Sequence, residues 1–349
     1  MILRKAAAII AAGMRPIITP ELVNGPFGDP ALYLDFRFER RALLFDLGDL
    51  AALPPRKLLR LTDVFVTHAH MDHFAGFDRL LRVCLGRHAG IRLYGPPGFI
   101  ERVAHKLGAY TWNLVDNYPG DFALQVHEVA SDASVAAACF RCRARFAQEP
   151  MPGRRAEGGV LREEAAFRVR AALLDHDTPC LAFCFEENTH VNVWKNKLAA
   201  MGLPVGAWLK DLKRAVADGL PDDTPVRAAW RDRDGAHERT LPLGELKAKA
   251  LQFVPGEKIA YVTDVVHHAG NERRIAELAA GADQLFIEAV FLNEDADHAA
   301  RKFHLTAAQA GRIARAAGAK QTIPFHFSPR YEGREDELRR ELEAARAGG

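Results

Sequence analysis

Cysteine is scarce in this chain, five among 349 residues and an odd number. That excludes the disulfide framework that staples small secreted domains, and it points to a reducing, cytoplasmic location. No apolar run reaches the ~18–20 residues of a membrane span, so no membrane association is expected. Net charge is also small, because 47 Lys+Arg against 45 Asp+Glu leave +2. A bulk polycation that holds nucleic acid by charge alone is thereby excluded. Internal repeats and low-complexity tracts are absent, which excludes solenoid architectures. What is present is an ordinary globular composition, 48% hydrophobic and 26% charged. Such a chain buries a core without a disulfide or metal staple and resists long disorder. Arg4-Lys5 before Ala6–Met14 imitates a signal peptide. The run is short, Ala-rich and lacks a small-x-small cleavage site, so it reads as a first β-strand.

Strand and helix patterns mix along the whole length. Ala31–Phe38 alternates, with Leu32, Leu34, Phe36 and Phe38 on one face, and Ala42–Asp46 and Leu61–Thr67 follow as short apolar strands. Phe77–Leu85 and Phe99–Leu107 have helical spacing around a strand at Ile91–Tyr94. Later strands are expected at Ala171–Leu174, Cys180–Phe185, Lys258–Thr263, Gln284–Phe291 and Gln321–Phe327. Asn271 is placed to cap a helix that stops at Gly281, Thr306 and Gln309 have capping-box spacing, and Glu335–Ala347 reads as a charged helix. Ala147–Glu164 reads as a Gly/Arg-rich surface loop, and about 186–246 as an inserted excursion from a single domain. Arg141, Arg143 and Arg145 alternate as on one strand face. Sheets covered by helices are the expected architecture.

The strongest chemical signal is His68-Ala69-His70-Met71-Asp72-His73. Three imidazoles and a carboxylate suit zinc or another borderline transition metal. The run begins where an apolar strand ends, so its side chains sit on a loop at a sheet edge. One loop cannot easily give all four groups to a single tetrahedral ion. Two ions ~3.5–4 Å apart relieve the crowding, as in two-metal hydrolytic sites. His176, Asp264, His304 and His326 also fall at or near strand ends, where packing alone does not call for them. Cys139/Cys142 and Cys180/Cys184 have spacings that a structural zinc uses, but Cys180 and Cys184 share one face of an apolar strand and read as core. His267 and His268 lie close behind Asp264 without a ligand role, and His88, His105, His127, His190, His237 and His298 show no partner pattern.

HAHMDHFAG (His68–Gly76) resembles the signature of the metallo-β-lactamase superfamily. Within it, LLDHDTPCLAF (Leu173–Phe183), AYVTDV (Ala260–Val265), FIEAVF (Phe286–Phe291), HLTAAQAG (His304–Gly311) and FHFSPRY (Phe325–Tyr331) are similar, in order, to ribonuclease Z, the tRNA 3′-end endonuclease family. The resemblance implies an α+β fold, a four-layer αββα sandwich with an inserted arm. It implies that His68, His70 and His176 bind one zinc, that Asp72, His73 and His326 bind the other, and that Asp264 bridges them. Mn²⁺ or Fe²⁺ would suit the same ligands. It implies catalytic roles for Asp72 and for His304 paired with Glu288, and phosphate contacts for Ser328 and Arg330. It further implies a precursor tRNA substrate and a homodimer. Where the family carries a DCGEGTQ-like loop, this chain reads Asp46-Leu47-Gly48-Asp49-Leu50.

The arm-like segment carries Lys195, Lys197, Lys210, Lys213 and Arg214 against Asp211 between positions 195 and 214, with Trp194 and Trp208 nearby. That local excess suits phosphate contacts or a solvated basic helix. Three other readings stand beside the tRNA endonuclease. One is a phosphodiesterase for a small or cyclic nucleotide. Another is a hydrolase of a thioester or lactam, which would need an oxyanion donor instead of the His304–Glu288 pair. The last is a binding protein that keeps the fold without chemistry.

Overall fold

The computed structural model of the protein describes residues 18–188 and 190–348. The stretch Ala6–Met14, expected as a first strand, lies outside them. The described residues fall into two compact units, Glu187–Gly256 and the remainder on either side of it.

The larger unit begins with β1 (Ile18–Leu22), β2 (Leu32–Phe36), β3 (Ala42–Phe45), β4 (Leu61–Phe65), β5 (Gly90–Gly95), β6 (Ala123–Val129), β7 (Ser134–Arg141) and β8 (Gln148–Arg155). These form an eight-stranded sheet in chain order. Its centre is parallel from β3 to β6, with antiparallel flanks. Then come β9 (Val160–Glu163), β10 (Phe167–Asp175) and β11 (Pro179–Glu187). The smaller unit contributes β12 (His190–Val193), β13 (Pro225–Asp232), β14 (Gly235–Pro242) and β15 (Leu251–Val254). The chain then returns as β16 (Lys258–Val262), β17 (Gln284–Glu288) and β18 (Gln321–Phe325). The second large sheet has six strands in the order β18-β17-β16-β11-β10-β9.

Alternation builds the layers. In β3, Leu43 and Phe45 belong to the cluster between the sheets, while Ala42 and Leu44 belong to the cluster under the outer helices. A strand buried on both faces reads as a continuous apolar run, as β3 does. The inter-sheet cluster pairs Phe45 with Phe183 at 5.5 Å and Phe65 with Tyr94 at 4.7 Å. Each such buried ring contributes roughly 1.5–3 kcal/mol of transfer free energy. Helices Phe77–Cys84 and Phe99–Gly108 cover one sheet, and Ala269–Leu278, Ala307–Ala316 and Glu335–Ala347 pack in the cluster on the outer face of the other. The layers therefore run helix, sheet, sheet, helix, the expected α+β sandwich.

Several local expectations change. Ala147–Glu164 is not a loop, because it contains β8 and β9. Both are edge strands, so their exposed faces need no apolar run, and Pro150 and Pro152 are tolerated there. Arg143 and Arg145 do not share a strand face with Arg141, because β7 ends at Arg141 and a tight turn follows, with Arg145 and Phe146 at φ 53° and 56°. Phe38 lies beyond β2 and is 69% exposed. Asn271 is not a cap. His268 caps the helix Ala269–Leu278, while buried Asn271 donates to the carbonyls of Asp175 and Val266 and ties together the two loops that carry His176 and Asp264. Thr306 and Gln309 do form a capping box.

The smaller unit has its own core of Leu198, Leu203, Trp208, Leu212, Val226 and Leu246. It closes at Gly256, beyond the expected Leu246, because β15 pairs back onto β12. On helix Trp208–Ala217, Trp208 and Leu212 face in, and Lys210, Lys213 and Arg214 are exposed.

Candidate metal centre and catalytic pocket

In the larger unit, the carboxyl ends of the strands converge on one edge, where open α/β sheets place their ligands. His68 and His70 follow β4, and Asp72 and His73 lie on the single helical turn Met71–Phe74. His176 follows β10, Asp264 follows β16, Glu288 ends β17, and His326 follows β18. His304 precedes the helix capped by Thr306. Residues separated by more than 250 positions thus meet in one cluster.

Asp264 stands at its centre, 2% exposed. Its Oδ2 faces His176 Nε2 at 3.4 Å and His68 Nε2 at 3.7 Å. Its Oδ1 faces His326 Nδ1 at 3.0 Å and His73 Nε2 at 3.2 Å. Asp72 Oδ2 lies 3.4 Å from His73 and 3.5 Å from His326. The ring of His70 lies 4.3 Å from that of His68. Donor atoms of His68, His70, His176 and Asp264 lie within 4.8 Å of one another, and so do those of Asp72, His73 and His326. The two oxygens of one carboxylate therefore divide the imidazoles into two groups.

Three features fit this cluster to cations. His68 Nε2, His73 Nε2 and His326 Nδ1 are buried and make no hydrogen bond, although carboxylate oxygens are near. These ring nitrogens converge without hydrogen-bond geometry, as ligand atoms do. The opposite nitrogens are anchored, His176 Nδ1 on the Phe303 carbonyl at 2.8 Å and His73 Nδ1 on Asp46 Oδ2 at 2.9 Å. Such outer bonds set the tautomer that presents Nε2 inward. The titration pattern agrees. Burial, then repulsion from His73, pushes His68 down to about 2, which leaves it neutral. Burial also opposes charge on His73 and His326, but Asp264 and neighbouring carboxylates outweigh it and hold both imidazoles well above the usual range. The carboxylates create a demand for positive charge.

Backbone strain collects here. Asp46, Asp264, Phe303 and His326 have φ of 60°, 42°, 60° and 56°. Non-glycine residues in this region cost of order 1–3 kcal/mol each, and surrounding bonds must hold them.

Asp46, which belongs to none of the sequence motifs, holds one of the cluster's imidazoles from behind. It is fully buried and accepts from the Thr67 amide at 2.7 Å, the Tyr261 hydroxyl at 3.0 Å and His73. Its signal was an acidic residue ending an apolar strand, the same signal that marked Asp264. Gly76 sets the approach of this loop, because a Cβ there would lie 2.2 Å from the Gly48 carbonyl oxygen.

Glu288 and His304 meet as expected. His304 Nδ1 bonds Glu288 Oε2 at 2.8 Å, and Glu288 Oε1 accepts from the Val265 and Leu305 amides at 3.1 and 2.9 Å. Burial opposes charge on His304, but Glu288 prevails and raises its affinity for a proton. The imidazole faces a pocket of about 380 Å³ that Asp72, His326 and Ser328 also line. Arg330 is not on that lining. Asp295 at 3.3 Å and His298 at 3.4 Å hold its guanidinium. Lys302 and His298 line the pocket instead, and no sequence pattern had marked either. Cys139, Cys142, Cys180 and Cys184 are buried free thiols, and none joins a donor cluster among the described residues.

The β-lactamase superfamily domain profile matches residues 43–245 and 224–327 of this chain. A ribonuclease Z from Deinococcus radiodurans is 33% identical over 336 residues, covering 95% of this chain and 96% of that protein. A ribonuclease Z from Methanothermobacter thermautotrophicus is 29% identical over 310 residues, 85% of this chain and 80% of its own. The crystal structure of human tRNase Z, short form, matches with a TM-score of 0.54 at 22% identity, over 90% of this chain and 93% of that one. That likeness shows a shared fold. With one relative a third identical along nearly the whole of both chains, the protein belongs to the ribonuclease Z family of the β-lactamase superfamily.

Proposed function

We propose that the protein is a metal-dependent endoribonuclease that cleaves precursor tRNA on the 3′ side of the discriminator base. The observation that carries this reading is the divided carboxylate of Asp264 beside a His304–Glu288 pair that opens on a pocket. Kinship over most of the chain with proteins named ribonuclease Z supports the substrate.

In this reading His68, His70, His176 and Asp264 hold one zinc ion, and Asp72, His73, His326 and Asp264 hold the other. When bound, two such ions supply Lewis acidity and a water nucleophile at neutral pH. The chain's own residues do the rest. His304 donates a proton to the leaving oxygen from the atom opposite Nδ1, while Glu288 holds the ring and favours its charged form. Asp72 orients the attacking water, since it faces both the cluster and the pocket. Ser328, which lines the pocket, contacts the phosphate. Arg330 acts through His298, given its bond to Asp295. The unit 187–256 is proposed as the arm, its exposed Lys210, Lys213 and Arg214 meeting RNA phosphates. A homodimer in the cytoplasm is the expected setting, and the five buried free cysteines support a reducing compartment.

The test is cleavage of a 3′-extended precursor tRNA by zinc-loaded protein, resolved to the nucleotide. A single product ending at the discriminator base, lost with chelator, is the expected result. Hydrolysis of bis(p-nitrophenyl) phosphate without tRNA cleavage would instead indicate a small phosphodiester as substrate.

A further inference from the structure

We propose that the pocket beside His304 seats one nucleotide flanking the scissile bond, with its base stacked on Phe27 and read by Asp29. This rests on the endoribonuclease reading above and specifies its substrate contacts.

The pocket lining mixes two kinds of side chain. Asp72, His304 and His326 are its polar part, and Phe27, Phe291 and Phe327 its aromatic part. Its volume of about 380 Å³ lies in the range of small-ligand sites. A bare phosphodiester gains nothing from aromatic rings, whereas a nucleobase does, because every base has a face to stack. Phe27 is only half-buried, so its exposed surface is available.

The loop that carries Phe27 is pre-set. Phe27 meets Phe327 edge-on at 5.4 Å and 78°. The Phe327 amide donates to the Pro26 carbonyl at 2.8 Å. Asn24 Nδ2 donates to the carbonyls of Asp29 and Asp49, each at 2.8 Å. Gly28 closes the loop on Asn24, since a Cβ would fall 2.6 Å from that residue's Cβ. A platform held this way loses little entropy on binding.

Charge decides which part of the nucleotide goes where. Asp29 lines the pocket, and a carboxylate beside a phosphate is repulsive. Asp72 lines it too, but the cation it would hold offsets its charge, so the phosphate lies there beside His304 and Ser328, and the base lies toward Asp29. Asp29 belongs to none of the metal-donor groups among the described residues, so cation binding does not account for it. An ionised carboxylate only accepts hydrogen bonds. Guanine presents two adjacent donors, N1–H and N2–H₂. Adenine and cytosine place an acceptor beside their amino group, and uracil flanks its single donor with carbonyls. Asp29 thus favours guanine.

The experiment uses two series of precursor tRNAs, one varied in all four bases 5′ of the scissile bond and one varied 3′ of it. In one series the wild type should prefer guanine to adenine by about tenfold or more in kcat/KM. Asp29→Asn, which keeps size but adds a donor, should bring that ratio close to one. Phe27→Ala should raise KM on the order of 5- to 100-fold for every base, and Phe27→Leu less. No preference in either series, a preference that survives Asp29→Asn, or an unmoved KM in Phe27→Ala overturns the proposal. A wild type that cleaves no RNA but hydrolyses bis(p-nitrophenyl) phosphate overturns the endoribonuclease reading itself.

Discussion

Asp264 serves two groups of imidazoles with its two oxygens, at 3.0–3.2 Å on one side and 3.4–3.7 Å on the other. Its replacement should affect both at once. Asp264→Ala is expected to lower bound metal from two equivalents toward none, measured by elemental analysis after dialysis, and retention of two would refute the bridging role. His304 belongs to a different task. His304→Ala is expected to keep both metals and lower turnover by ~10²–10⁴. Unchanged turnover would remove its acid role. Asp46 acts through His73, whose ring it orients from 2.9 Å. Its removal leaves His73 free to rotate, so Asp46→Ala should weaken binding at that position by about 10–100-fold. The three variants therefore separate bridging, proton donation and ligand orientation.

At the scale of elements, the site depends on how closely two short segments approach. The turn Met71–Phe74 and the loop after β3 exchange backbone bonds, Leu47 amide to His73 carbonyl at 2.9 Å and Gly76 amide to Leu47 carbonyl at 2.8 Å. Gly76 leaves no room for a side chain against the Gly48 carbonyl. Gly76→Ala must push the segments apart, which costs roughly 1–3 kcal/mol of stability and moves His73 relative to Asp46. A thermal melt reads the first effect and metal affinity the second. An unshifted melting temperature would show that the contact yields freely. The glycine of HAHMDHFAG was plain in the sequence. Its partner loop was not, because contact between positions 48 and 76 depends on sheet pairing rather than local pattern.

For the whole molecule, acid stability offers a check on the second sheet. Glu186 bonds Arg168 at 2.6 Å and lies 3.2–3.3 Å from Arg170 and Lys258. Burial raises its pKa, but the Arg168 bond and the three cations prevail and hold it below the ordinary value. A folded pKa below the unfolded one stabilises the protein above the unfolded pKa of ~4.3. That contribution is lost as pH falls through the folded value. The stability gap between wild type and Glu186→Gln should therefore be widest near neutrality and shrink below about pH 4. A gap independent of pH would mean that the carboxylate's charge is not what matters. Chelator should also lower the melting temperature of the wild type, because ligand bound only to the folded state stabilises it.

Chemistry and architecture were legible in the sequence for a definite reason. Metal-ligand residues cannot be exchanged for neighbours of similar size, and strands buried on both faces are mostly apolar. His68–His73, the late strands and the capping box of Thr306 stood out on those grounds. Edge strands β8 and β9 did not, since backbone pairing at an edge asks little of side chains. Nor did Asp46, Asp29 or Lys302, single polar residues whose meaning comes from what lies across the site. The sequence by itself determined the His68–His73 cluster and the mixing of strands with helices, because those are written in residue type and periodicity, while its resemblance to a known family supplied the layered fold and the expected donor set. Which oxygen of Asp264 faces which imidazole, which cation lines the pocket and which is tied to Asp295 were decided by tertiary structure, because those depend on distances between residues far apart in the chain.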